Sequence, residues 1–71
     1  MHIELALSEP QAVKIEVFSL ERKSISVITD KTFDKGTHHW QWNLNQIPNG
    51  MYIIEIQKGK TKESHKVIVG K

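Results

Sequence analysis

Four histidines, a group of aromatic residues and a cluster of lysines are the side chains in this sequence with chemistry to offer. His38 and His39 are adjacent, and imidazole pairs are what a borderline cation such as zinc takes. Neighbours in a strand leave opposite faces of a sheet, so this pair cannot easily grip one ion. His39 is expected in solvent and His38 at the margin of the core, and neither a metal site nor a cofactor is expected. Asp30 and Asp34 form a carboxylate pair that could do acid–base work or hold calcium, but their setting reads as a solvated turn flanking a loop. With no glycine-rich phosphate loop and no nucleophile beside a base, the chain is not expected to be an enzyme.

Trp40, Trp42 and Tyr52 could make a platform on which sugars or bases stack. They alternate with polar residues and share their parity with Ile54 and Ile56, so Trp42 and Tyr52 are assigned to the core and Trp40 to its rim. Lys58, Lys60, Lys62 and Lys66 could bind a polyanion. They also flank Gly59, an expected hairpin turn, where charge discourages edge-to-edge pairing. The formal net charge of +2, from ten basic and eight acidic residues, is too mild for a nucleic-acid binder with a concentrated basic stripe.

The elements that must position these groups are strands. Ile3, Leu5 and Leu7 alternate with polar or small residues until Ser8-Glu9-Pro10, and Val13, Ile15 and Val17 mark a second strand ending near Leu20. Ile25 and Val27 supply a third, with Phe33 on a short edge piece. A strand around 38–43, a Pro48-Asn49-Gly50 turn, a strand around 51–57 and a last one over about 61–69 complete the chain. The period-two pattern predicts an all-β fold, a small antiparallel β-sandwich of about six to seven strands, immunoglobulin-like in size, with Ile15, Val17, Trp42, Tyr52, Ile54, Val67 and Val69 inside.

The 71 residues leave room for one domain over 1–71, and the absence of cysteine excludes a disulfide framework and a thiolate zinc site. No apolar run approaches the roughly 20 residues that span a bilayer, so no direct membrane insertion is expected. The N-terminus lacks the order of a signal peptide, which fits either a protein that stays where it is made or the terminal module of a longer secreted chain.

Several short patterns occur in order along the chain: "LALSEP", "VKIEVFSL", "GTHHWQWN", "IPNGMY" and "HKVIVGK". Together they resemble the type A C-terminal sorting domain of cargo proteins of the type IX secretion system of Bacteroidota. The resemblance implies a sorting signal, exported through the periplasm to the outer-membrane surface or the extracellular space. Its implied partners are outer-membrane translocon components and a sortase-like peptidase that removes the domain and joins the cargo to an anionic lipopolysaccharide. The implied residues of receptor recognition or turn architecture are Gly36, Asn49, Gly50, Tyr52, Lys66, Val67, Val69 and Lys71. One position departs from the family pattern: in "SLERKSI", Arg22 stands where a Leu-x-Gly-basic turn has glycine. Either this turn has another geometry or the correspondence slips locally. The alternative function is a cell-surface immunoglobulin-like or fibronectin-like module that binds carbohydrate or protein.

Overall fold

The computed structural model describes residues 2–43 and 47–70. Six strands follow one another: β1 (His2–Leu7), β2 (Gln11–Ser19), β3 (Ser24–Phe33), β4 (Gly36–Gln41), β5 (Gly50–Lys58) and β6 (Thr61–Val69). Every pairing is antiparallel. β3, β2, β5 and β6 form a four-stranded sheet in that order, and β1 pairs with β4 in a two-stranded sheet. No helix occurs among the described residues.

The alternation seen in the sequence is the cause of this layering. Val13, Ile15 and Val17 of β2 point inward, with Ile15 opposite Ile56 and Val17 opposite Ile54 on β5. Ile3 and Leu7 of β1 close the core from the other sheet, and Trp42, Tyr52 and Val69 complete it. Burying a side chain of this kind fully is worth about 1.5–3 kcal/mol. The inward row of β2 therefore contributes much of what so short a chain can gather. Of the residues assigned to the core from sequence, Val67 is only half-buried, while the rest of that set is buried.

Local details refine or correct the sequence reading. Ile25 and Val27 do lie on a strand, but both are exposed, and Ile28 and Phe33 are the β3 residues that pack against the core. The register between β2 and β3 shifts twice, at Ile15/Glu16 and Val17/Phe18, and each extra residue on β3 reverses its inward and outward parity. Phe33 ends the ten-residue β3 instead of forming a separate edge piece, and Asp30 lies within β3 opposite Lys14, so only Asp34 belongs to the connecting turn. β4 stops at Gln41, and Trp42 enters the core from beyond the strand end.

The turns follow the same logic. Arg22 N–H donates to the Ser19 carbonyl at 3.0 Å and Ser19 N–H to the Lys23 carbonyl at 2.9 Å, the pattern of a three-residue hairpin loop ending in a left-handed residue. That residue is Arg22, at φ 67°. The turn thus keeps a geometry that favours glycine and fills it with arginine. At the β5–β6 hairpin the left-handed place is held by Gly59, as its sequence position led one to expect.

Candidate recognition surface

Among the described residues the four-stranded sheet has two free edges, β3 and β6, and they differ. β3 carries the two register shifts and the charged pair Asp30 and Lys31, features that twist and mask an edge against pairing. β6 pairs with β5 without interruption from Lys58↔Thr61 to Gly50↔Val69, which leaves its other side a regular row of backbone groups. The first part of that edge bears Lys62, Glu63 and Lys66, with Lys62 paired to Glu55 at 3.4 Å. Val67, Ile68 and Val69 carry no charge at all.

Beside the end of this edge the outer face carries apolar side chains. Because Tyr52, Ile54 and Ile56 point inward, Met51 and Ile53 point outward, and the register sets Met51 opposite Ile68 and Ile53 between Phe18 and Lys66. Ile68 is 75% exposed and Met51 42%. Val27, opposite Glu16 on the same face, is also exposed. Phe18, Met51, Ile53 and Ile68 were not singled out from sequence. The signal was present as the second parity of strands whose first parity is core, but it needed the register to join them into one patch.

The residues expected at a recognition or turn site divide into two groups. Gly50 opens β5 at φ 154°, and Tyr52, two residues on, is buried with its hydroxyl donating to the Pro48 carbonyl at 2.7 Å. Asn49 is exposed in the same turn, whereas Gly36 begins β4 in the other sheet at φ 126°. Lys66 is exposed on the outer face, Val67 is half-buried and Val69 is 2% exposed, so the members of β6 alternate between surface and core. Lys71 lies outside the described residues.

The aromatic residues do not form a stacking platform. Trp42 and Tyr52 are buried and meet edge to face with ring centroids 6.1 Å apart, and half-buried Trp40 meets Phe33 edge to face at 5.2 Å. His38 turns the other way from His39: its Nε2 lies 2.7 Å from the Asp34 carbonyl, while His39 faces His2 and Glu4. Glu16 accepts from the Ser24 hydroxyl at 2.6 Å, which holds its carboxyl below the usual carboxylate value, with Lys14 at 3.5 Å assisting and partial desolvation opposing.

A two-layered strand arrangement with a free C-terminal strand is shared by many small domains, and comparison of the whole chain decides among them. The family model of the secretion system C-terminal sorting domain matches residues 1–70. This chain belongs to that family. No curated protein and no solved structure matches significantly. As a type IX sorting domain, the chain is a signal recognised by the secretion machinery, in a family that is not one of catalysts. A protein bearing such a signal passes through the periplasm to the cell surface or beyond.

Proposed function

We propose that this sorting domain is the terminal module of a longer secreted protein, read by the outer-membrane translocon at the C-terminal half of β6 and then removed by a sortase-like peptidase. The observation that carries the choice of surface is the uncharged end of an uninterrupted sheet edge, at Val67, Ile68 and Val69, beside the outward Met51 and Ile53. A receptor strand added there gains main-chain hydrogen bonds, and its side chains meet the exposed Ile68. Tyr52, Gly50, Asn49, Gly36 and Val69 act in this reading through architecture, by fixing where β5 and β6 lie. Lys66 supplies positive charge beside this edge.

The test fuses residues 1–71 to a periplasmic reporter in a bacterium with a type IX system. Ile68→Asp alters a side chain that is largely in solvent, so the thermal midpoint should change little, as for most surface substitutions, within about 0.5 kcal/mol. The reporter should then remain in the periplasm, whereas the parent fusion reaches the surface or the medium. Normal export of the Ile68→Asp fusion would remove the end of β6 from the recognition surface.

A further inference from the structure

The solvent face of the β1–β4 sheet brings His39 of β4 against His2 and Glu4, two residues apart on β1. Glu4 stands directly opposite His39, and His2, opposite Gln41, lies diagonally across from it. His2 Nε2 is 3.1 Å from His39 Nδ1, and His39 Nδ1 is 3.3 Å from Glu4 Oε1. The two rings lie 5.1 Å apart at 36°, and one potential ligand atom from each of the three residues falls within 4.8 Å of the others.

Protons serve this arrangement poorly when the imidazoles are neutral. His39 Nδ1 faces two acceptors at once: the Glu4 carboxylate and, in one tautomer, the lone pair of His2 Nε2. If Nδ1 carries the proton, one N–H is shared between them. If Nδ1 is bare, its lone pair confronts a carboxylate oxygen. A cation accepts electron pairs from all three atoms together. Tetrahedral zinc with bonds of about 2.0–2.1 Å sets its ligand atoms roughly 3.3–3.4 Å apart, close to the two separations found here.

We propose that His2 Nε2, His39 Nδ1 and a Glu4 oxygen form a surface site for a divalent transition-metal ion of the zinc type, with water completing the coordination. Two imidazole nitrogens among three ligands select zinc and its neighbours over magnesium or calcium, which take oxygen. The site joins β1 to β4 and exists only in their native register, so the ion acts as a clasp on the smaller sheet and stabilises the fold by binding the native state alone. It does not depend on how the domain is read by the secretion machinery.

The test is calorimetric titration of the 71-residue chain with zinc chloride, together with nitrogen NMR of the imidazoles. One zinc per chain should bind, the thermal midpoint should rise saturably, and the His2 Nε2 and His39 Nδ1 resonances should move most. His2→Gln, His39→Gln and Glu4→Gln should each weaken binding by roughly tenfold or more, as loss of a ligand exceeds loss of an outer partner. Because all three residues are exposed, these variants should retain the parent's midpoint without zinc, which separates lost ligation from lost folding. His65→Gln, at the second exposed histidine–glutamate pair with Glu63 at 3.4 Å, should leave binding unchanged. Absence of zinc binding, half a zinc per chain, or undiminished binding by folded His39→Gln would each overturn the proposal, and magnesium binding as tight as zinc would do so as well.

Discussion

The Tyr52 hydroxyl donates to the Pro48 carbonyl oxygen across 2.7 Å, tying the first inward side chain of β5 back to the turn that leads into it. The ring is buried edge to face on Trp42, so one residue couples the core to the chain reversal. Tyr52→Phe keeps the ring contact and removes the donor. It should cost about 1 kcal/mol, the usual worth of one such bond. For a domain of this size that is a fall of about 4–8 °C in thermal midpoint, measured by melting followed at a β-sheet circular dichroism band.

Gly50 is strained for any other residue by its backbone and not by its surroundings. Its φ of 154° is one that side-chain-bearing residues rarely adopt, yet a Cβ added there would meet nothing within 4 Å. Gly50→Val should therefore lower stability by roughly 1–3 kcal/mol. Gly50→Ala should recover only part of that loss, since it removes bulk but not the backbone penalty. Urea denaturation of both variants checks the order. Export of a fused reporter should fall in step with stability, and a Gly50→Val variant that stays folded yet is not exported would make the turn itself a contact.

Arg22 offers the converse change. It holds φ 67° in the loop closed by Ser19 and Lys23, a conformation that costs an L-residue about 1–2 kcal/mol. Arg22→Gly relieves that cost but gives the unfolded chain more freedom, which offsets about 0.5–1 kcal/mol. A net gain of about 0.5–1 kcal/mol should appear as a raised urea midpoint with an unchanged slope.

Glu16 gives the fold a pH dependence of known sign. The Ser24 hydroxyl and the Lys14 ammonium favour its ionised form, so its folded value lies below the unfolded one. Its contribution is present in full above the unfolded value and is lost as pH falls through the lower folded value. Urea midpoints measured across the acid range should therefore show the parent losing its advantage over Glu16→Gln on acidification. Ser24→Ala should raise the Glu16 titration point in carboxylate NMR.

Most of the strands were legible in the sequence because an antiparallel strand with one buried face writes its burial as alternation, as Val13, Ile15 and Val17 or Tyr52, Ile54 and Ile56 do. Gly59 was legible as a turn for a local steric reason. The family, too, could be read from short patterns, because their order survives without any knowledge of which strands pair. The facing of β3 was not legible because a bulge inserts a residue without leaving a mark in composition, so Ile25 and Val27 keep a core-like spacing while facing solvent. Arg22 was legible only as a departure, and its φ bears out neither explanation, since the left-handed place is kept and filled by arginine.

By itself, then, the sequence determined which residues prefer to be inside and where the chain must reverse, because both are set by each residue's own polarity and backbone freedom. Which strand lies beside which was decided only by the tertiary structure, because register and sheet order depend on contacts between residues distant along the chain. That is why the outward row of Phe18 and Ile53, the free edge ending in Ile68, and the meeting of His2 and Glu4 with His39 emerge only once the two sheets are assembled.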